Sequence, residues 1–189
     1  MNSIAGSSNA VTGDSNFLKG SSNTLVGNNN GILGSLNQVF GNSNTMNGNE
    51  NKVKGDSNAI IGNLNQVIGS TNILQGDQNK VKGNDNQVAG NNNAMQGDKN
   101  KVLGNSNTLI GSTNNVFGNL NSVLGSQNNV AGHSNILQGS QNNVLGSFNQ
   151  LLGQKNNIDG SGNKVFGNSN VVINDLSGFD FFWFHYLSY

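Results

Sequence analysis

Residues 125–146 read GSQNNVAGHSNILQGSQNNVLG and contain one seven-residue pattern three times in succession. Each heptad opens with a glycine, has an asparagine three residues later and an aliphatic residue two residues after that. Counted from the glycine, these are positions one, four and six, held first by Gly125, Asn128 and Val130. Because the spacing is so strict, the repeat itself is the feature from which the fold is predicted.

The heptad extends from this stretch in both directions without an insertion. It runs from Gly6 to Ile173 as 24 consecutive heptads, and residues 2–5 end a further heptad in the same phase. In all 24, position one is Gly, position four is Asn and position six is Val, Ile, Leu or Met. A coiled coil is excluded because Gly and Asn disfavour a helix interior. The unbroken aliphatic position argues against disorder.

The order of residue types within the heptad predicts a short strand and a tight turn. Positions four and six point to one side of a strand, and positions three, five and seven point to the other. Gly at position one and a small polar residue at position two form the corner. Two heptads close one coil of about 14 residues. The sequence therefore predicts an all-β, parallel β-solenoid, a flattened two-sided β-roll of about 12 coils.

The fourth-position asparagines have a structural role in this prediction. Equivalent residues stack in successive coils, so each amide donates a hydrogen bond to one neighbouring coil and accepts one from the other. Such an internal ladder avoids the cost of burying an unpaired amide, about 1–3 kcal/mol. The residues assigned to the internal ladder include Asn9, Asn16, Asn23, Asn58, Asn65, Asn128, Asn135, Asn142 and Asn170.

Composition excludes several classes of function. The chain of 189 residues has a formal net charge of zero and contains no Arg, so it lacks the basic patch of a nucleic-acid-binding protein. It contains no Cys, which removes thiol nucleophiles and cysteine metal sites. His133, on a predicted corner, and His185 belong to no catalytic or ligand spacing. We predict a protein without catalysis, cofactor, metal or membrane span.

The heptad resembles the xxNxVxG repeat of the grass ice-recrystallisation-inhibition proteins. The segments GSSNTLVG, GSTNNVFG and GSQNNVAG match that repeat closely, and the resemblance covers residues 2–173. It implies a left-handed β-roll with internal Asn ladders, a Val-rich core and a flat outer face, rich in Thr, Ser and Val, that binds ice. It also favours an extracellular location. Residues 1–20 contain no long apolar run, so we do not expect a secretory signal within them. The head repeats of trimeric autotransporter adhesins are similar more weakly.

The resemblance places ice binding at outward positions, where this sequence is least regular. At positions five and seven, threonine occurs only at Thr12, Thr24, Thr45 and Thr108. An uninterrupted file of threonines along one face is therefore not expected. The candidate ice-binding face consists of the outward pairs Thr24 and Val26, Ala59 and Ile61, and Thr108 and Ile110.

A second outward pattern favours self-association. The heptads that begin at residues 34, 62, 118 and 146 carry Leu, Ile or Phe at positions three and seven, with charged heptads such as 48–54 and 76–82 between them. Regularly exposed apolar residues mark protein contacts. The repeat also begins in phase at Asn2, which favours stacking of copies through uncapped ends. The candidate interface residues are Leu36, Phe40, Leu64, Ile68, Leu120, Leu124, Phe148 and Leu152.

The repeat stops after Ile173, and residues 174–189 differ from it. This segment, NDLSGFDFFWFHYLSY, holds the only Trp and both Tyr of the chain. We predict a solenoid over residues 1–173 and a C-terminal cap or docking tail over 174–189. Two functions stay open: ice binding, and a self-assembling structural or adhesive solenoid that forms a filament or homo-oligomer. In the second, the tail contributes contacts through Phe181, Phe182, Trp183 and Tyr186.

Overall fold

The computed structural model describes residues 1–174, and the predicted tail contacts Phe181, Phe182, Trp183 and Tyr186 lie outside them. Within residues 1–174 the chain forms 25 three-residue strands and no helix. The odd-numbered strands form a 13-stranded sheet, called sheet A, and the even-numbered strands form a 12-stranded sheet, called sheet B. The fold is thus the predicted two-sided, all-β solenoid.

The strand bounds follow the heptad through the whole described chain. Sheet A contains β1 (Ser3–Ala5), β3 (Phe17–Lys19), β5 (Gly31–Leu33), β7 (Thr45–Asn47), β9 (Ala59–Ile61), β11 (Ile73–Gln75), β13 (Gln87–Ala89), β15 (Lys101–Leu103), β17 (Asn115–Phe117), β19 (Asn129–Ala131), β21 (Asn143–Leu145), β23 (Asn157–Asp159) and β25 (Val171–Ile173). Sheet B contains β2 (Ala10–Thr12), β4 (Thr24–Val26), β6 (Gln38–Phe40), β8 (Lys52–Lys54), β10 (Gln66–Ile68), β12 (Lys80–Lys82), β14 (Ala94–Gln96), β16 (Thr108–Ile110), β18 (Ser122–Leu124), β20 (Ile136–Gln138), β22 (Gln150–Leu152) and β24 (Lys164–Phe166).

All strand pairs are parallel, and each residue pairs with its equivalents 14 residues away in the coils on either side. Val67, for example, pairs with Val53 in one direction and with Val81 in the other. The predicted coil length is therefore confirmed. Because the register never shifts, each heptad position forms a straight column along the solenoid, with one residue about every 4.8 Å.

The sixth-position aliphatic residues of both sheets form one core between them. Every one of these side chains from Leu18 to Val165 is buried, while Val11 and Val172 at the two ends are partly buried. Strands of only three residues cannot be stable alone. Their stability comes from stacking, since each coil covers the apolar side chains of the next.

The corners are longer than predicted, because each strand covers only positions five to seven. Position three adopts a left-handed backbone conformation, with φ between +56° and +63° in residues such as Leu36 and Phe148. This conformation directs the backbone N–H at position three toward the previous coil, as in the 3.0 Å bond from Leu36 to the Ser21 carbonyl. The prediction that position three lies on a strand was therefore wrong. The candidate interface residues Leu36, Leu64, Leu120 and Phe148 are corner residues.

Replacing Thr71 with asparagine is expected to stabilise the protein. Thr71 has φ +63°, and a β-branched residue is disfavoured in this conformation, whereas asparagine tolerates it well. We expect the free energy of unfolding to rise by about 1 kcal/mol, measured by thermal denaturation. Ser57→Asn at an equivalent corner is the control and should give a smaller gain, because serine is not β-branched. Equal gains would contradict this explanation.

The internal Asn ladder forms along both edges of the core. The Nδ2 group of Asn86 donates to the Asn72 side-chain oxygen at 3.0 Å and to the Gly97 carbonyl at 2.9 Å. The Asn86 side-chain oxygen in turn accepts from the backbone N–H and the Nδ2 of Asn100, at 3.0 and 3.2 Å. The same pattern recurs coil after coil, and the fourth-position residues from Asn16 to Asn156 are all buried. The predicted ladder is confirmed, with additional bonds to backbone at each step.

A second ladder, which the sequence analysis missed, lies at position two. Its side-chain oxygens accept hydrogen bonds from the backbone N–H of the preceding coil, as Asn42 does from Asn28 at 2.9 Å. At one corner the Nδ1 of His133 accepts from the Asn119 N–H at 3.1 Å. This explains why position two holds Ser, Asn, Asp or His in every heptad except that of Gln154. A short side chain with an acceptor atom completes the corner.

Asn174 ends one internal ladder out of register. Its Nδ2 donates to the Asn163 side-chain oxygen at 2.7 Å, although the residue one coil beyond Asn163 would be at position 177. The backbone N–H of Asn174 also bonds the Asp159 carbonyl at 2.8 Å. Asn174 thus satisfies a partly buried acceptor at the point where the heptad ends.

Candidate functional site

The two sheets present different outward surfaces. Positions one, two, four and six are occupied by the corner, the two ladders and the core, which leaves positions five and seven of each strand to face outward. On sheet A these positions hold the charged residues Lys19, Lys101 and Asp159. On sheet B they hold no acidic residue and five lysines: Lys52, Lys54, Lys80, Lys82 and Lys164.

The predicted ice-binding residues do not lie together. Ala59 and Ile61 are on β9 of sheet A, whereas the other two pairs are on β4 and β16 of sheet B. The lysine pairs of β8 and β12 lie between β4 and β16. Successive heptads alternate between the two sheets. Ala59 is an odd number of heptads away from both Thr24 and Thr108, so it lies on the opposite sheet. Thr24, Val26, Thr108 and Ile110 thus share a sheet without forming a patch.

Sheet A carries an outward column of asparagines that the sequence analysis missed. Asn115, Asn129, Asn143 and Asn157 occupy position five of four successive strands in register. The Nδ2 groups of the first three donate to the side-chain oxygen of the asparagine in the next coil, at 3.2, 2.8 and 2.8 Å along the column. In the sequence, this column is visible as an Asn-Asn pair at positions four and five of four alternate heptads. We call these four residues the outward Asn column.

The outward Asn column is flanked by less polar residues and ends at a charge. Position seven beside it holds Phe117, Ala131 and Leu145 and, at the C-terminal end of the column, the charged Asp159. At the N-terminal end, the side-chain oxygen of Asn115 is buried and has no hydrogen-bond partner. Its neighbour one coil back is Lys101, whose ammonium lies 5.9 Å from the centre of the Phe117 ring, within cation–π range. The column is therefore interrupted by Lys101.

The part of sheet A from β5 to β13 is uncharged but uneven. No charged side chain occurs at positions five and seven from β5 to β13. Gly31 has no side chain there and leaves a shallow depression of about 400 Å³, with Phe17, Leu33, Thr45, Ala59 and Ile61 among its lining residues. The region of sheet A with the most regular side-chain array is thus β17–β23, around the outward Asn column.

Residues 1–174 hold no cluster of His, Asp or Glu with the composition of a metal site. The same part of the chain contains no helix of the length and hydropathy needed to cross a membrane. His133 lies at a corner and contacts Asn119 of the adjacent coil, as the heptad predicts.

Comparison with known proteins gives one family. The family model described as "Grass antifreeze beta roll" matches residues 1–83 and 74–175. Among curated proteins, no sequence matches. Among solved structures, the polySia specific acetyltransferase NeuO matches with 17% identity over 93% of this chain and 83% of the NeuO chain, at a TM-score of 0.17. A superposition that poor says nothing about fold or function.

Proposed function

The chain belongs to the grass antifreeze β-roll family, and from that premise we propose that it binds ice through sheet A and inhibits ice recrystallisation without catalysis. The outward Asn column is the observation that carries the assignment to sheet A. It places four amide groups in a straight line at the coil repeat, with hydrogen bonds of 2.8–3.2 Å between them.

A preorganised array suits a crystalline ligand. Ice is a periodic surface, so a binding face must hold its polar groups at fixed intervals while water freezes against them. The column residues lose little conformational entropy on binding, because their rotamers are already set by hydrogen bonds to neighbouring coils. The column repeats about every 4.8 Å, and the flanking residues Ala131 and Leu145 add apolar surface that does not compete for water.

Sheet B is the weaker candidate because of its lysines. Two of its strands, β8 and β12, each carry a pair of outward lysines: Lys52 and Lys54, and Lys80 and Lys82. Both strands lie between β4 and β16, which carry Thr24 and Thr108. An ammonium group is compact, strongly hydrated and carried on a flexible stem, so it holds its own water shell and has no fixed position. These properties oppose contact with an ordered ice lattice.

Adding a lysine beside the outward Asn column is expected to abolish most of the activity. Ala131→Lys places a flexible, hydrated cation next to Asn129, whereas Ala10→Lys places the same side chain on β2 of sheet B. We expect the Ala131→Lys variant to need at least about tenfold more protein to stop grain coarsening in an ice-recrystallisation assay. The Ala10→Lys variant should match the unsubstituted protein.

Far-UV circular dichroism of both variants checks that the solenoid is intact. Equal loss of activity in the two variants, with both folded, would contradict the assignment to sheet A. Unimpeded coarsening by the unsubstituted protein at micromolar concentration would overturn the proposal of ice binding itself.

A further inference from the structure

The apolar coils of sheet B are arranged symmetrically about one strand. We define the paired face as positions five and seven of β4–β24 in sheet B, together with position three of the corner that precedes each strand. At position three of this face, Leu36 lies four coils before Asn92 and Phe148 lies four coils after it. In the same way, Leu64 lies two coils before Asn92 and Leu120 two coils after it, and all four side chains are exposed. Position seven shows the same symmetry about Gln96, with exposed apolar residues four coils away (Phe40 and Leu152) and two coils away (Ile68 and Leu124).

The corner residues of this set lie in an unfavourable backbone conformation. Leu36, Leu64, Leu120 and Phe148 have φ between +59° and +61°. A large side chain in this region costs about 1–2 kcal/mol relative to glycine. The opposite corners, which lead from sheet B to sheet A, carry only polar residues at position three, such as Ser43 and Gln127. All corners share this backbone conformation, but large apolar side chains occupy it on one edge of the described solenoid only, which points to a use for these side chains.

We propose that the paired face binds the same face of a second copy of this chain, in an antiparallel dimer. The two-fold axis lies along β14, at Ala94, in the plane of contact. Rotation about it sets Leu36 against Phe148 of the second copy and Leu64 against Leu120. A two-fold interface requires such reciprocal pairs, because each residue of a pair must fit the other from both sides.

The lysines fit the same axis. All four residues of the β8 and β12 pairs lie on one side of Ala94, and the coils at equal distances on the other side carry Ser, Thr, Ile and Gln. The rotation therefore sets Lys80 against Thr108, and Lys52 against Ile136, with no lysine facing a lysine. A parallel dimer in register would bring Lys52 close to Lys54 of its partner, where like charges repel.

The size of the paired face is compatible with a dimer. Eleven strands at about 4.8 Å, and a width of four residue steps, give roughly 650 Å² per copy. That approaches the roughly 800 Å² per partner of a standard protein interface. Sheet A faces away from the contact in both copies, so the dimer would present its two sheet A surfaces in opposite directions, free for another ligand.

A single introduced cysteine tests the axis, since the chain contains no other thiol. Ala94→Cys lies on the axis and meets its own copy, whereas Ala10→Cys, at the same position on β2, lies about six coils from it. With a short bis-maleimide linker we expect a covalent dimer from Ala94→Cys and none from Ala10→Cys. Linking of both variants would indicate a parallel dimer, and linking of neither would overturn the proposal.

Sedimentation equilibrium gives an independent measurement. Ile68→Glu introduces a charge at an apolar pair of the contact, and we expect the dissociation constant of the dimer to rise at least about tenfold. Ile61→Glu on sheet A is the control, with a side chain exposed to a similar degree, 59% against 55% for Ile68. A monomeric unsubstituted protein, or equal weakening by both substitutions, would overturn the antiparallel dimer.

Discussion

Replacing Gly83 with alanine is expected to prevent the solenoid from folding. Gly83 occupies a corner with φ +139°, and a Cβ atom there would overlap the carbonyl oxygen of Gly97 and lie 2.7 Å from its carbon. The atoms in the way are backbone of the next coil, which cannot move without breaking the register of the column. We expect a loss of more than about 5 kcal/mol, comparable with the total stability of a typical domain.

Gly31→Ala is the matched control for Gly83→Ala. Gly31 lies at position five of β5, outside the positive-φ region, and an added Cβ would meet no atom within 4 Å. The substitution should leave stability unchanged or raise it by about 0.5–1 kcal/mol, because alanine restricts the unfolded chain. Thermal denaturation followed by far-UV circular dichroism measures both. Similar midpoints for the two variants would show that coil spacing does not depend on the corner glycines.

The second large effect is expected from Asn86→Ala in the internal ladder. The substitution removes the acceptor of the Asn100 N–H and Nδ2 groups and the donor to the Gly97 carbonyl. The two Asn100 groups are buried, so water cannot replace the lost partner, and each unsatisfied buried group costs about 1–3 kcal/mol. We expect a loss of about 3–6 kcal/mol, or a midpoint lowered by about 10–20 °C.

Asn129→Ala is the control for the internal ladder. Asn129 has the same side chain and also bonds amides in both neighbouring coils, at 3.2 and 2.8 Å, but it is exposed. Water can satisfy the groups that this substitution releases, so its cost should stay below about 1 kcal/mol. A loss as large as that of Asn86→Ala would mean that burial does not decide the value of an amide ladder.

The strand count and the internal ladder were predictable because the repeat is strict. One residue type at position four of every heptad, such as Asn86, has no explanation on the surface, and a column of stacked amides is the arrangement that satisfies it in the interior. The corners were predicted less well. Position three was assigned to a strand because alternation alone cannot reveal a left-handed residue when Leu36 or Thr71 occupies it. The ladder at position two was missed because Ser, Asn and Asp are common in any turn, so their presence at a corner does not indicate hydrogen bonds between coils.

The sequence by itself determined the solenoid, its 14-residue coil, its core and its internal ladder, because each depends on the heptad alone. Only the tertiary structure decided which outward residues share a surface. It placed Ala59 and Thr24 on different sheets and brought Asn115 and Asn157 into one column. It also placed Leu36 at a corner and Phe40 at the far end of the strand that follows. The physical reason is that the core, the corners and the internal ladder do not require any particular outward side chain, so outward residues vary from one heptad to the next. Their neighbours are set by coil stacking, so any partner recognises an array that no single heptad contains.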